Sequence, residues 1–538
     1  MSTNSEFATA ASAAPAPPAG TAAADAFADG LLHAASFWGL VVQRARMTGD
    51  RTMLLDEEDR RLTFGAFRDR AERVAAALYA LGIGPGTRVA WQLPTRVSTA
   101  LVMAALARLG AVQAPVIPQY RARETAVAVE SAEAQVILVP GVWRGTDYMA
   151  MAKGFASEPR VLTIGADAPE SDDVASLPPV PDAMEDPRWV YFTSGSSGLP
   201  KGALHTDGSL LAAAYGFTVR GRLGALPDEV GSLPFPIAHV GGIVYLMTML
   251  TSGFPAVLIE VFDPPRTVET FRRHRVTSTG GSTVFYTALL AEQWKLPPGA
   301  ALLPSLRLLK GGGAPCPPAV FHAVRSELGA TVAHDYGMTE VPMICVASPA
   351  GTDEQLADTD GAPIPGNEVR IVDGSRELPV GHDGEIQVRG RAVFRGYTDP
   401  EHNITAFTED GWFRTGDRGH LRPDGHVEVT GRIKELIIRK GEKIAPMELE
   451  ALLAELPAVA EVAVVGLPDD ERGERVCAVL TLRQGTTPPT LKGIANHLRA
   501  AGIMPQKLPE QLEIVDQMPR TGLGKLSKTA LRERFGER

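Results

Sequence analysis

Residues 191–202 read Tyr-Phe-Thr-Ser-Gly-Ser-Ser-Gly-Leu-Pro-Lys-Gly, a run of small and hydroxylated residues between an apolar stretch and a cation. Trp189, Val190, Tyr191 and Phe192 are aromatic or β-branched and predict a short buried strand. Beyond them Gly195 and Gly198 free the backbone, Thr193, Ser194, Ser196 and Ser197 supply hydroxyls, and Lys201 closes the loop. A loop that can turn its amides and hydroxyls toward one point makes an anion-binding concavity, which suits phosphate. It is not a Walker loop, because Pro200 precedes Lys201 where that pattern needs glycine. A Ser/Gly-rich surface turn is the competing reading of the same residues.

The 538 residues exceed what one hydrophobic core supports, since single cores stop growing near roughly 250–300 residues. Hydrophobic content of 44% with 22% charged residues is that of a soluble globular chain, and the net charge of −10 argues against a nucleic-acid or anionic-membrane surface. Cys316, Cys345 and Cys477 lie too far apart for metal-ligand spacing, and no disulfide frame is expected, as in a reducing cytoplasm. Residues 1–26, rich in Ala, Pro, Ser and Thr, lack the features of a signal or transit peptide and read as a disordered tail. No apolar run reaches the roughly 18 residues of a membrane span.

Outward from the loop, the chain alternates strand and helix. Residues 53–55 and 61–63 flank a polar turn as a hairpin. Residues 64–81 place Phe67, Ala71, Val74, Ala75, Leu78 and Leu81 at helical spacing before Gly82. A predicted strand at 88–93, helix at 98–109 and strand at 112–117 follow, the rhythm of a sheet with crossover helices. After Asp186 it resumes, with a helix at 209–220, strands at 231–236, 257–260, 276–279, 306–309 and 332–336, and a helix at 267–274. The 306–309 strand runs into Gly311-Gly312-Gly313, and the 332–336 strand ends at Gly337. Ligands in such sheets sit where strands end, so these turns and the 191–202 loop are candidates for one rim. Residues 368–429 switch to short β runs with Asp-Gly turns, and 434–538 read as a small α+β unit.

Together these motifs resemble the adenylate-forming superfamily of acyl-CoA synthetases, peptide-synthetase adenylation domains and beetle luciferases, over about Leu62 to Lys528. The resemblance implies an α/β fold: a large N-terminal domain, 27–433, of mixed sheets with flanking helices and a small β module, then a small mobile C-terminal lid, 434–538. It implies an ATP site in which Thr193, Ser194, Gly195, Ser196, Ser197, Gly198 and Lys201 hold phosphates. Gly312, Gly313, Ala314, Asp335, Tyr336 and Gly337 would surround adenine, with the Tyr336 ring as its stacking face. Asp417, in the 411–419 motif, would accept from the ribose hydroxyls, reinforced by Arg432. Thr339 would touch the α-phosphate and Glu340 would bind magnesium, a hard cation that takes one or two carboxylates besides phosphates. For Thr339 and Glu340 a helix N-terminus, with Thr339 as cap, is the competing reading. Lys525, in Arg-Thr-Gly-Leu-Gly-Lys, would supply the preorganised cation for carboxylate attack on the α-phosphate.

For the second half-reaction the resemblance implies rotation about Lys434, bringing the loop of Lys440 and Gly441 to a pantetheine channel for coenzyme A. Lys434 resembles the plant coumarate and related aryl ligases, which have Lys where Ile438 stands and Gln where Lys443 stands, so phosphate contacts are not carried onto Ile438. His239, Gly241, Gly281, Gly311 and Val341 would shape the acyl pocket, His239 gating it near the carboxylate. Without a clear charged anchor the pocket suits an uncharged carboxylic acid. Residues 506–512 resemble cyclohexanecarboxylate and medium-chain acyl ligases, pointing to alicyclic, aromatic or medium-chain acids. A carrier-protein pantetheine or an amine stays open as alternative acceptor, as does a homodimer.

Overall fold

The large unit is built on sheets whose strand ends meet at one cleft. A computed structural model describes residues 34, 36–181, 185–194, 200–439, 442–469, 472–521 and 525–536; the N-terminal tail expectation falls outside them. The hairpin expected near the N-terminus forms from Thr52–Leu55 and Arg61–Thr63, and Thr52–Leu55 also runs parallel to Ala256–Leu258, itself parallel to Gly231–Leu233. A second sheet orders Pro200–Thr206, Pro187–Ser194, Val112–Pro115, Arg88–Trp91, Val136–Val139 and Arg160–Thr163. All its pairs are parallel except the hairpin of its first two strands. The third sheet sets Ser278–Gly281, Leu308–Gly312 and Thr331–Tyr336 in parallel and is extended antiparallel by Cys345–Val346 and Ala362–Pro363.

Residues 191–194 and 200–202 therefore pair as the arms of a β-hairpin, with Thr193 opposite Lys201 and Ser194 opposite Pro200. Gly195, Ser196, Ser197 and Gly198 lie outside the described residues. The base of this hairpin is anchored through Asp207, whose buried carboxylate accepts from Trp189 Nε1 at 2.7 Å and from the Phe37 amide at 2.8 Å. Asp207 opens a helix, Asp207–Val219, that Thr206 and Ser209 cap reciprocally. Helices Val97–Leu109 and Val240–Ser252 are apolar almost all round and nearly fully buried, as core helices must be.

The β module is an antiparallel sheet ordered Arg376–Glu377, Asn367–Asp373, Gly384–Gly390, Phe413–Leu421 and Val427–Arg432. The chain leaves it through a short 3₁₀ turn, Ile433–Glu435, and builds a last sheet from Ile437–Arg439, Glu442–Ile444, Val459–Asp469, Gly473–Leu482 and Gln511–Ile514. This small unit has its own core, with Ile437, Leu449, Val464 and Leu498 buried on one face and Val465, Cys477 and Leu531 on the other. We propose the domain boundary at the 3₁₀ turn, where Lys434 is exposed.

One ion cluster joins that turn to the small unit. Lys528, on helix Lys528–Gly536, places Nζ 3.0 Å from Glu435 and 2.8 Å from Glu450, and the same Glu450 oxygen accepts from the Val464 amide at 2.7 Å. Burial works to lower the Lys528 pKa, but Glu450 and then Glu435 outweigh it and raise it. Lys528→Met, which leaves two poorly solvated carboxylates without their cation, is expected to cost about 3 kcal/mol. Chemical denaturation of the parent and variant checks this, and an unchanged midpoint for the small unit would show that the cluster does not stabilise it.

Candidate active site

Tyr336, Asp417 and Arg432 come from two different sheets and meet. Tyr336 ends the parallel strand Thr331–Tyr336, and its hydroxyl donates to Asp417 Oδ2 at 2.8 Å. Arg432, directly opposite Asp417 across the module's last two strands, places Nε 3.2 Å from Oδ1. Burial raises the Asp417 pKa, while Arg432 and the Tyr336 hydroxyl oppose the rise. The three side chains form a charge-assisted cluster that can exchange its internal hydrogen bonds for those of a ligand's hydroxyls.

The turn after Tyr336 is irregular from Gly337 to Ile344, and no helix begins at Thr339, so the capping reading of Thr339 and Glu340 does not hold. What holds the turn is tertiary. The Thr339 carbonyl takes a 2.7 Å hydrogen bond from His205 Nε2, and the buried His205 ring is oriented from its far side by Ser209 Oγ at 2.9 Å. Burial pushes the His205 pKa down to about 4, so its neutral form donates to Thr339. The Glu340 carboxylate accepts from the Tyr397 hydroxyl at 2.6 Å, and burial raises its pKa against that bond. Neither His205 nor Tyr397 stood out in the sequence, because each acts through a contact more than 50 residues away.

Lys525 is the residue that the small unit contributes. Its Nζ lies 3.9 Å from where a Cβ on Gly313 would stand. Its side chain is still open to solvent, yet desolvation and the Arg432 charge lower its pKa, against the pull of Asp417 and Glu340. A second contact between the units places Arg483 5.7 Å from the exposed Trp294 ring. His239 caps the helix Val240–Ser252, accepting from the Gly241 amide through Nδ1 at 3.1 Å, which leaves the proton on Nε2. Burial, then the Lys525 charge, push its pKa down to about 4. His239 and Thr339 border a small cavity otherwise lined by apolar and aromatic side chains such as Ile117, Tyr191 and Phe192.

Several expected site residues are placed differently. The buried Asp335 carboxylate is committed to Lys310, whose Nζ stands 2.6 Å away, and to the Ala347 amide at 3.0 Å. Val341 is fully buried and closes the turn through paired backbone bonds with Met338. Gly311, with φ 147°, sits so close to its neighbouring strand that a Cβ would stand 2.6 Å from the Gly281 carbonyl oxygen. Its bare backbone is what this close strand packing requires. Gly281 is the position that borders side chains, with a would-be Cβ 2.8 Å from Phe285 and 3.2 Å from Phe235. Phe235 stands edge-on to His239 and Phe262 edge-on to Phe285, giving a row of partly exposed rings. Gly312 and Ala314 follow on the same strand end. Lys440 and Gly441 lie outside the described residues, and for Ser194 only the backbone is described.

The donor set fits magnesium. Glu340 offers hard carboxylate oxygen beside Asp417, the kind of donor that magnesium takes together with phosphate oxygens. No helix among the described residues is long and apolar enough to cross a membrane.

The geometry agrees with sequence comparison. Residues 41–398 match the model of the AMP-binding enzymes and residues 448–525 that of the AMP-binding enzyme C-terminal domain. The chain belongs to this adenylate-forming superfamily, in its acid-CoA ligase branch. It is 34% identical over 533 residues to a 2-hydroxy-7-methoxy-5-methyl-1-naphthoate–CoA ligase of Streptomyces carzinostaticus, with 92% of each chain covered. It is 31% identical to a salicyl-AMP ligase / salicyl-S-ArCP synthetase of Mycobacterium tuberculosis, covering 94% of this chain and 92% of that one. The crystal structure of ATP-bound MatB from Rhodopseudomonas palustris superposes with a TM-score of 0.83 at 28% identity, covering 93% of this chain and 99% of that one.

Gly311→Ala should lower the melting temperature by several degrees, since it forces both a disfavoured φ and a strand displacement worth about 1–3 kcal/mol. Activity should fall alike for small and bulky acids. A loss confined to bulky acids at unchanged melting temperature would return Gly311 to the pocket.

Proposed function

We propose that the enzyme joins ATP to an uncharged, ring-bearing or medium-chain carboxylic acid, releasing pyrophosphate, and passes the acyl group to coenzyme A. The observation that carries this reading is Lys525, brought from the small unit to Gly313 and into the field of Asp417 and Glu340. A lysine there has its use at a phosphate that gains charge as it is attacked.

In the first step a carboxylate oxygen attacks the α-phosphorus, the bond to the pyrophosphate leaving group breaks, and the acyl-adenylate forms. Tyr336 offers its ring to adenine and Asp417, backed by Arg432, accepts from the ribose hydroxyls. Thr339 and Lys525 stand at the α-phosphate, and the hairpin of Thr193 and Lys201 at the outer phosphates. Glu340 would hold magnesium, which supplies charge neutralisation on the triphosphate when bound. His239, neutral near pH 7 with its proton on Nε2, donates that N–H to the carboxylate and orients it. In the second step the thiol sulfur attacks the acyl carbon, AMP leaves and the thiol proton passes to solvent, with the small unit turned about Lys434.

The ring row of Phe235, His239, Phe262 and Phe285 supports aromatic or alicyclic acids, as does the likeness to a naphthoate–CoA ligase. The salicyl-S-ArCP synthetase relative favours a second reading, in which a carrier-protein pantetheine replaces coenzyme A.

Pyrophosphate release across a panel of carboxylic acids, with and without coenzyme A, tests both readings. Release with ring-bearing acids and thioester formation only with coenzyme A are expected; adenylate that stays bound until a carrier protein is added would select the second. Lys525→Ala should slow pyrophosphate release by about 10²–10³ while leaving thioester formation from supplied acyl-adenylate near the parent rate. Equal slowing of both steps would contradict the role given to Lys525.

A further inference from the structure

The Glu340 carboxylate, on the turn after Tyr336, and the Lys201 ammonium, on the strand Pro200–Thr206, share one aromatic ring. Tyr397 donates its hydroxyl to Glu340 Oε1 at 2.6 Å, while Lys201 Nζ stands 5.6 Å from the centroid of that ring. The chain around Tyr397 is laid along the strand that carries Lys201. Thr398 donates to the Gly202 carbonyl at 2.8 Å, Leu204 to Gly396 at 2.9 Å and Arg395 to Leu204 at 2.7 Å, with Ala203 bridged to Tyr397. Toward the other side the Phe394 amide donates to the Glu340 carbonyl at 2.8 Å. The ring itself is fixed by the Tyr397 amide on Asn403 Oδ1 at 2.8 Å and by an edge contact with Phe394 at 4.9 Å.

We propose that Tyr397 is a positioning residue that sets the spacing between the metal-binding carboxylate and the phosphate-hairpin lysine, so that a metal–triphosphate meets both at once. A phenol that donates a hydrogen bond to a carboxylate makes a short charge-assisted bond and confines that carboxylate to one rotamer. A cation over the ring face is attracted by the ring quadrupole, so one side chain orders an anion at its edge and a cation on its face. The inference rests on the adenylation reading of Glu340 and adds to it a residue that touches neither nucleotide nor acid.

The test is binding of ATP with Mn²⁺ in the absence of any acid, measured by calorimetry, beside binding of ATP without metal and the thermal melt. Tyr397→Phe keeps the ring and removes the hydroxyl; it should weaken Mn²⁺–ATP about tenfold, the size expected for losing a hydrogen bond to a charged group, and leave metal-free ATP unchanged. Tyr397→Leu should weaken metal-free ATP as well, because Lys201 loses its ring. In a Glu340→Gln background Tyr397→Phe should have no further effect on Mn²⁺–ATP. Asn403→Ala, which loosens the ring from behind, should act in the same direction as Tyr397→Phe if that variant melts too early to measure. Unchanged Mn²⁺–ATP binding in Tyr397→Phe, or the same tenfold loss in the Glu340→Gln background, overturns the positioning role while the adenylation reading stands. A parent protein that does not bind Mn²⁺–ATP removes the adenylation reading and this inference with it.

Discussion

The site depends on one buried carboxylate. Asp417 sits where the β module meets the end of the parallel sheet, and a charge in that position is tolerable only with close partners. Arg432 and Tyr336 are those partners, one on the adjacent strand and one on the other sheet. Because Arg432 is the last residue of its strand and the 3₁₀ turn begins at the next position, the same pair that fixes Asp417 also fixes where the small unit departs.

Around that carboxylate the large unit places rigid backbone where catalysis needs open approach. The strands 278–281 and 308–312 run so close at their ends that no side chain fits between them at Gly311. Rigidity there comes from packing, and variety comes from what borders Gly281, a row of phenylalanines on different elements. The relatives are named for different acids, naphthoate and salicylate among them, so the acid is decided by particular side chains and not by the fold. The small unit, joined through a short turn, touches the large one at Lys525 and at Arg483.

Much of this was legible in the amino-acid order. The strand–helix rhythm from Thr52 to Pro115 and the three parallel strands between Ser278 and Tyr336 follow from apolar spacing and glycine punctuation and stand within a few residues of where the spacing puts them, whereas the helices Thr283–Gln293 and Pro318–Ala323 between those strands were not read. The separate β module and the small α+β unit were visible as changes of texture. Residues 118–186 gave no such signal, and they hold the helix Ala122–Ser131 and two edge-side strands of the six-stranded sheet. The return strand Pro200–Thr206 was hidden because it opens with Pro200 and contains Gly202, residues that discourage a strand; it forms because the other hairpin arm and the segment at Tyr397 pair with it on either side.

The sequence alone determined the family, the kinds of group at the site and their order along the chain, because local spacing and glycine-rich turns are properties of neighbouring residues. Tertiary structure decided which carboxylates are free to act. Asp335 and Glu340 lie five positions apart and look alike in sequence, yet one is spent on Lys310 in the core and the other is held at the cleft by Tyr397. It likewise showed that Gly311 has no room for a side chain beside Gly281. These outcomes depend on partners 25 to 57 positions away for the carboxylates and on the neighbouring strand for the glycine, and a buried charge or a missing Cβ takes its meaning only from what the fold sets against it.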